Sequence, residues 1–327
     1  MVIVALASSV WSQTETERNI MPQFTSPVCV LPRMIVSATV LLLAACVALP
    51  ITTTGVRADC LAPAKSDDQD VRRNADLLGQ DSGLCLSRET FSENGRDWDL
   101  TIIRNKVHDR GPLIYLVHDN EQSAFDTALY SVRRYGGSLV AVESGEKRSH
   151  AGQDPNRNFA INASDAATCR DMVTKPAPEF TEIMRALNPD RQSFFLTLHN
   201  NDDGYSGGGG LGTINVERPS SIMQGMPAPQ SASDTDDALL IAGIEPFGAN
   251  KHARAVTDHM HEAGYHVIYE LVKSSNNDCS FSNFVVLNNL GDYYNIETQH
   301  GHTAQQKQIL DHLMAYLRFR PQNQEVK

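Results

Sequence analysis

Short apolar runs without polar alternation are the feature that most restricts how this chain can fold. The run Leu113–Val117, "LIYLV", follows Gly111-Pro112 and suits a strand that is covered on both faces of a sheet. The next segment, Glu121–Tyr135, carries apolar residues at helical spacing and stops at Gly136-Gly137. A second strand pattern, "SLVAVES", follows at once. This order of strand, helix and strand predicts one unit of an α/β fold.

The same order recurs along the rest of the chain. Helical patterns occur in "PEFTEIMRAL", "HARAVTDHMHEAG" and "TAQQKQILDHLMAYLRF", and strand patterns in "DWDLTIIRN", "QSFFLTLHNN", "YHVIYELV" and "GDYYNIET". Such alternation predicts an α/β domain with a mixed or mostly parallel sheet between helices. Ligands of such sheets bind beyond the C-terminal ends of the strands. Polar residues at those ends are therefore the candidates for function.

The size and charge of the chain narrow its class. Its 327 residues are 41% hydrophobic, which is enough to form a large core in one domain or two smaller ones. The formal net charge is -11, and no basic stripe with interleaved aromatic residues occurs in the sequence. Proteins that neutralise phosphates need the opposite charge. Nucleic acid is therefore not an expected partner.

The N-terminal residues are typical of an export signal. An apolar run begins at Met34, and the small residues that end at Ala58 fit cleavage by signal peptidase. We predict a leader over residues 1–58, with its core at 34–58, and a periplasmic or secreted protein that keeps no membrane span. Two alternatives remain open, namely an uncleaved membrane anchor and a lipoprotein anchored at Cys46.

Cysteine usage agrees with export. Cleavage near Ala58 would leave Cys60, Cys85, Cys169 and Cys279. An even number of cysteines in an exported chain suggests disulfides. Of the three possible pairings we predict Cys60–Cys85 and Cys169–Cys279, because the first pair would tie down an N-terminal arm. Buried free thiols are the alternative.

Composition divides the chain after the leader. Residues 59–95 are polar and irregular and predict an N-terminal arm, whereas residues 96–327 carry the alternating elements. Within the latter, residues 202–237 are rich in Gly, Ser and Pro and have no periodicity, which predicts a functional loop or a flexible insert. This insert follows His199 directly, so we expect it to border the site.

Three polar residues at strand ends form a candidate metal site. His118 follows the strand Leu113–Val117, Glu121 opens the next helix, and His199 lies near the end of "FFLTLHNN". A hydrolytic zinc uses three protein ligands and one open position, and two His with one Glu is a known set. Imidazole with carboxylate also favours zinc among divalent ions. Without His199, an ordinary surface pair would be the better explanation of the His-x-x-Glu spacing.

Two other segments offer groups for catalysis and substrate binding. On "DYYNIET", Tyr293, Asn295 and Glu297 share one strand face, so Glu297 can present a carboxylate to a cleft and Tyr293 can contact substrate. In "DPNRNF", Arg157 can grip a carboxylate bidentately and Asn156 can add a hydrogen bond. The alternatives are a solvent-facing Glu297 and a surface salt bridge at Arg157.

Together these segments resemble a known family. "HDNE", "DPNRNF", "LTLHNN" and "YYNIET" occur in an order that resembles the zinc carboxypeptidase (carboxypeptidase A-like) superfamily, which includes the succinylglutamate desuccinylase/aspartoacylase branch. The resemblance covers roughly residues 100–320. It implies a three-layer α/β/α sandwich around a mixed, mostly parallel sheet of about eight strands. It also implies that His118, Glu121 and His199 bind one zinc ion, Zn2+.

The resemblance implies roles for further residues as well. Glu297 would take a proton from the attacking water and pass it to the leaving amine. Asn156 and Arg157 would hold the free carboxylate of the substrate. Arg148 is the candidate for the arginine that polarises the scissile carbonyl. Competing candidates are Arg133 and Arg134 for that arginine, and Tyr205, Tyr265, Tyr269 and Tyr293 for the mobile tyrosine of the family.

The sequence therefore predicts an exported zinc-dependent metallohydrolase that cleaves an amide or peptide bond near a free carboxylate. Its expected partner is a small peptide or an acyl-amino acid. Because an exported bacterial enzyme often faces the cell wall, a metalloprotease of the carboxypeptidase type that acts on a peptidoglycan stem peptide is the preferred hypothesis. One alternative is an N-acyl amino acid deacylase of the desuccinylase/aspartoacylase type. The other is a non-catalytic binder of peptide or cell wall on the same fold.

Overall fold

The computed structural model describes residues 60–170, 175–188, 192–204, 212–217 and 236–319. The predicted leader and most of the predicted insert at 202–237 lie outside these residues. Within them, one sheet is built from nine strands: β1 (Leu84–Glu93), β2 (Arg96–Asn105), β3 (Leu113–Leu116), β4 (Ser138–Val142), β5 (Phe194–Asn201), β6 (Thr213–Val216), β7 (Ala238–Gly243), β8 (His266–Leu271) and β9 (Asp292–Gln299).

Helices cover both faces of this sheet. They are α1 (Gln69–Arg73), α2 (Gln122–Tyr135), α3 (Ala163–Thr168), α4 (Pro178–Leu187), α5 (Lys251–Glu262), α6 (Phe281–Leu287) and α7 (Thr303–Tyr316).

The two faces of the sheet belong to two separate cores, because successive side chains of a strand point to opposite sides. On β3, Ile114 packs in the core beneath α2, α5 and α7, whereas Tyr115 packs in the core beneath α4 and α6. On β9, Ile296 and Tyr293 divide between the two cores in the same way. The predicted three-layer α/β/α sandwich is confirmed.

Helix α2 forms where the sequence predicts it. Its buried residues Phe125, Ala128, Leu129 and Val132 recur at helical spacing and place one apolar stripe on the sheet. The helix ends at Gly136, which has a φ of 83° and lies so close to the backbone of His108 that a Cβ would be 2.3 Å from its carbonyl oxygen. Glycine is required there, and the tight exit returns the chain into β4.

The sheet differs from the prediction in its size and in its strand directions. The strand order is β1-β2-β4-β3-β5-β9-β7-β8-β6, and among the described strands four neighbouring pairs are parallel and four are antiparallel. The strand count is therefore nine rather than about eight, and the sheet is evenly mixed rather than mostly parallel. The parallel pairs are those that join β4, β3, β5 and β9, together with the pair β7–β8.

The prediction of an irregular segment up to residue 95 is wrong for strand β1. Residues Leu84–Glu93 form a hairpin with β2, in which Leu84 pairs with Asn105 and Glu93 with Arg96. The second half of β1 is exposed or half-buried on both sides, and it contains Arg and Glu. Since the strand lies at the edge of the sheet, little apolar periodicity is needed to hold it, and the sequence carries little signal for it.

Two disulfides bring distant segments together, and both predicted pairings are confirmed. Cys60 is bonded to Cys85, which ties the residues before α1 to β1, and Cys169 is bonded to Cys279, which ties the end of α3 to the loop before α6. Disulfides persist in oxidising compartments, so this pair of bonds fits an extracellular or periplasmic protein. Among the helices of the described residues, none has the length and apolar character needed to cross a bilayer.

Candidate active site

The candidate metal ligands meet at one edge of the sheet. His118 lies two residues beyond the end of β3, Glu121 is the N-cap residue of α2, and His199 lies on β5, the parallel neighbour of β3. Parallel strands end at the same edge, so residues 81 positions apart in sequence become neighbours. All three side chains are buried.

The ligand atoms converge on one point. The Nδ1 atom of His118 lies 2.9 Å from Oε1 of Glu121 and 3.1 Å from Nδ1 of His199, whose Nδ1 lies 3.0 Å from Oε2 of Glu121. Tetrahedral ligands bound to zinc at about 2.0–2.1 Å stand roughly 3.3 Å apart. Two imidazole nitrogens and a carboxylate at these separations form a set that could hold a metal ion, and the donor chemistry fits zinc.

The pKa values of Glu121 and His118 are shifted by their contacts with each other and with neighbouring residues. Burial raises the pKa of Glu121, but the neighbouring His199 and His118 outweigh that effect and hold the pKa of this carboxyl well below its usual range. Burial lowers the pKa of His118, but Glu121 and Asp154 outweigh it, so the pKa of His118 is raised. The surroundings of Glu121 thus favour its ionised form, which supplies negative charge for a bound metal.

Asp154 orients His118, a role that the sequence did not reveal. Its Oδ1 lies 2.8 Å from Nε2 of His118, and it also accepts a hydrogen bond from the backbone N–H of Asn156. Burial raises the pKa of Asp154, but His118, Arg148 and Arg157 together outweigh that effect and lower the pKa to about 2. An ionised Asp154 requires the proton of His118 to be on Nε2, which directs the lone pair of Nδ1 to the metal position.

The substitution Asp154→Asn tests this role. We expect zinc affinity to fall about 10- to 100-fold, because loss of the partner frees the ring and lowers its basicity. The measurement is the zinc Kd by competition with a chelator, and Asp258→Asn, at an exposed position of α5, is the matched control. An unchanged Kd would mean that other contacts orient His118.

A cavity of about 440 Å³ opens beside the candidate ligand cluster formed by His118, Glu121 and His199. Seven of the eight residues predicted for the site line it, and the eighth, His118, contacts two of them, Glu121 and His199. The lining residues that the sequence predicted are Glu121, Arg148, Asn156, Arg157, His199, Tyr293 and Glu297.

Glu297 is next to His199 in the sheet. Strands β5 and β9 are parallel, and their register pairs His199 with Glu297. Paired residues point to the same face of strands about 4.8 Å apart. The Oε1 atom of Glu297 accepts a hydrogen bond of 3.0 Å from Nδ2 of Asn295, which directs the carboxylate. The carboxylate of Glu297 is thereby placed beside the candidate ligand cluster without being part of it.

Asn156 and Arg157, the pair predicted to bind a carboxylate, also line the cavity. Asn156 uses its Oδ1 to accept the backbone N–H of Phe281 at 3.0 Å, so Nδ2 is the group that can serve a ligand. Nη2 of Arg157 lies 3.3 Å from Oδ2 of Asp278, which positions the guanidinium at the cavity wall. These contacts join the segment "DPNRNF" to the first residue of α6 and to the loop before it.

Of the three arginines predicted as candidates to polarise the scissile carbonyl, Arg148 contacts the candidate ligand cluster. Its Nη1 lies 3.3 Å from Oε1 of Glu121, its side chain is half-exposed, and it lines the cavity. Arg134, by contrast, packs on Tyr130 and Tyr135 in α2. Arg133 is not among the residues that line the cavity.

Tyr293 is the only candidate tyrosine in the cavity lining among the described residues. It is buried, and its hydroxyl lies 2.8 Å from Oγ1 of Thr197, so it forms part of the floor. The hydroxyl of Tyr269 donates to the backbone carbonyl of Glu245 in the opposite layer. Tyr265 also belongs to that layer, and Tyr205 lies outside the described residues.

Comparison with known proteins shows similarity only to solved structures. No family model matches the chain, and no curated protein matches it. Among solved structures, the fold is similar to a succinylglutamate desuccinylase/aspartoacylase from Rhodobacter sphaeroides, at 13% identity and a TM-score of 0.39, over 73% of this chain and 66% of that chain. It is also similar to carboxypeptidase A from Helicoverpa armigera, at 12% identity and a TM-score of 0.38, over 79% of this chain and 76% of that chain.

These two structures come from the two groups of enzymes that the sequence motifs resemble. At these identities and TM-scores, neither structure transfers an activity to this chain. The function must therefore be argued from the site itself.

Proposed function

We propose that this chain is an exported zinc-dependent metallohydrolase that cleaves an amide bond next to a free carboxylate. The observation that carries the proposal is the sheet register that sets Glu297 beside His199. It brings a candidate general base to the edge of a buried ligand set, in a cavity that also contains Arg157. A metal ligand set, a base and a carboxylate-binding arginine are the parts that such a hydrolysis needs.

Each part has a separate task. A zinc ion held by His118, Glu121 and His199 would supply Lewis acidity and lower the pKa of water at the site. Glu297 removes a proton from the attacking water and delivers it to the nitrogen of the leaving amine. Arg157 pairs with the free carboxylate of the substrate, and Arg148, which lies next to Glu121, faces the scissile carbonyl.

The preferred natural substrate is a peptidoglycan stem peptide, and the enzyme would act on it as a carboxypeptidase. Two disulfides fit an oxidising compartment, where such peptides are exposed. The predicted leader, residues 1–58, would direct the chain to that compartment. The peptidoglycan assignment rests on this location and not on a contact in the cavity.

Paired peptides that differ only in their C-terminus test the proposal. We expect the zinc-loaded protein to hydrolyse an N-acyl dipeptide with a free carboxylate about 10- to 100-fold faster, in kcat/KM, than the same peptide with a C-terminal amide. The reason is that a hydrogen bond to a charged group contributes about 1.5–3 kcal/mol, and Arg157 would lose that partner.

Three controls accompany this measurement. A chelator should abolish hydrolysis, and added zinc should restore it. Isolated stem peptides should be shortened by one residue. If peptides and stem peptides stay intact while an N-acyl amino acid is deacylated, the carboxypeptidase assignment is wrong and the deacylase is correct.

A further inference from the structure

The loop of residues 277–280, just before α6, supports the two residues proposed to bind the substrate carboxylate. Within this loop, Oδ2 of Asp278 lies 3.3 Å from Nη2 of Arg157. The next residue after the loop, Phe281, donates its backbone N–H to Oδ1 of Asn156 at 3.0 Å. An arginine side chain has many rotamers, so its partners decide where the guanidinium points. The position of the 277–280 loop therefore sets the direction in which Arg157 faces the cavity.

Cys279 ties this loop to two other segments. Its carbonyl accepts the backbone N–H of Phe159 at 3.1 Å, and its sulfur is bonded to that of Cys169, at the end of α3. The φ of Cys279 is 56°, a conformation that residues other than glycine adopt rarely and keep only where the surrounding structure holds them. The disulfide is thus a covalent support for a loop conformation that the backbone alone does not favour.

The other links between the loop and the end of α3 are weak. Among the described residues they are two hydrogen bonds of 3.0 Å, from the backbone N–H of Arg170 to the carbonyl of Asn277 and from Nδ2 of Asn277 to Oγ1 of Thr168. Thr168 and Arg170 are exposed, so water competes for both bonds. Helix α3 has six residues and none of them is buried. So short a helix is marginal by itself, and the disulfide is the main link on this side of the loop.

The candidate ligand cluster and the candidate base are supported by other elements. His118 follows β3, Glu121 precedes α2, and His199 and Glu297 lie on β5 and β9. The disulfide joins none of these elements, and neither of its cysteines lines the cavity. Loss of the bond should therefore act on carboxylate binding and not on the metal ligands.

We propose that the Cys169–Cys279 disulfide is a redox-sensitive positioning element, which holds Arg157 in place for the substrate carboxylate only while it is oxidised. This inference rests on the proposed function. Cys279 is 1% exposed and Cys169 is half-buried, so a thiol reaches the bond from the side of Cys169. A dithiol supplies two electrons and two protons, becomes a cyclic disulfide, and leaves a thiol on each cysteine.

The reduced protein keeps its ligand cluster but loses the covalent support of the 277–280 loop. Asp278 then no longer holds the guanidinium of Arg157 in a fixed position. On the proposed export route, the chain would bind free carboxylates weakly in the reducing cytoplasm and gain full affinity after oxidation outside it. Peptides of the cytoplasm would thereby be spared before export.

The double variant Cys169→Ser/Cys279→Ser tests this inference, and Cys60→Ser/Cys85→Ser, which removes the other disulfide, is the matched control. For an N-acyl dipeptide with a free carboxylate, we expect KM to rise at least about 10-fold and kcat to stay within about twofold, because Arg157 binds substrate and transition state alike. For the C-terminal amide, both constants should stay unchanged. The control should match the wild-type protein with both peptides.

Reduction of the already folded protein gives the same test if the serine variant fails to fold. The Cys60→Ser/Cys85→Ser protein is treated with dithiothreitol, freed of the reagent by gel filtration and reloaded with zinc. Mass spectrometry of alkylated peptides verifies the thiols of Cys169 and Cys279. KM should rise as in the variant and return after oxidation with oxidised glutathione. An unchanged KM would overturn the inference, and so would a parallel loss of kcat or zinc, since the bond would then hold the whole domain.

A binding measurement separates this inference from the proposed function. Calorimetry with Nα-acetyl-alanine should give a Kd at least about 10-fold higher for Cys169→Ser/Cys279→Ser than for Cys60→Ser/Cys85→Ser. Equal Kd values would overturn the role of the disulfide even if the peptides are hydrolysed. Disulfide-dependent binding without hydrolysis of any peptide would retain this role and refute the hydrolase.

Discussion

Replacement of Glu297 by Gln should lower kcat for a peptide with a free carboxylate by about 1,000-fold and leave zinc binding intact. General-base catalysis contributes about 10²- to 10⁴-fold, and a 1,000-fold loss corresponds to about 4 kcal/mol of transition-state stabilisation. Gln has nearly the same shape as Glu but cannot accept a proton at neutral pH. Because the register places residue 297 beside His199 and outside the metal cluster, the ligand set should not be disturbed.

Two measurements on purified Glu297→Gln decide this prediction, namely steady-state kinetics and zinc content by atomic spectroscopy. Glu245→Gln, an exposed position just after β7, is the matched control and should keep wild-type kinetics. If Glu297→Gln retains more than a tenth of the activity, the general base is another group. If it loses its zinc, Glu297 is a ligand rather than a base. If the protein is a non-catalytic binder, Glu297→Gln should leave its ligand affinity unchanged.

The second large effect is expected for Glu121→Gln, which should lose zinc and, with it, all metal-dependent activity. Glu121 is 2% exposed and contacts His118, His199 and Arg148 through its two carboxylate oxygens. A neutral amide cannot supply the negative charge that offsets the metal. Loss of a residue that only orients a ligand, such as Asp154, lowers metal affinity by up to about 100-fold. We expect a larger fall in zinc affinity for Glu121→Gln, because Glu121 is itself a ligand.

Chelator competition measures this loss, with Glu245→Gln again as the control. Circular dichroism of the metal-free protein should show that the fold is kept, since α2 is held by the apolar contacts of Phe125, Leu129 and Val132. Wild-type zinc affinity in a folded Glu121→Gln protein would refute the proposed ligand set. Loss of activity with full zinc occupancy would instead assign Glu121 a role in catalysis.

The local parts of this site could be read from the sequence. The apolar run before His118, the helical spacing after Glu121 and the glycines that end α2 are properties of short segments, and all three lead to the structure observed. Alternation along β9 correctly placed Tyr293 and Glu297 on one face, and both line the cavity.

The parts that the sequence did not reveal depend on contacts between distant segments. Asp154 lies inside a quoted motif, but its role follows only from its bond to His118, which is 36 residues away in sequence. Glu270 occupies a strand that reads as apolar, and it becomes a cavity residue because β8 packs beside β7. Strand β1 was missed because an edge strand needs little apolar periodicity.

The sequence by itself determined the alternation of strands and helices, the segments that carry His118, Arg157, His199 and Glu297, and the type of chemistry these residues offer. Hydrophobic periodicity and side-chain chemistry are local properties, so one chain is enough to read them. Only the tertiary structure decided that β5 pairs with β9, that His199 therefore lies beside Glu297, and that Glu270 lines the same cavity as Arg157. Strand order and register are set by packing between residues far apart in sequence, and no local pattern encodes them.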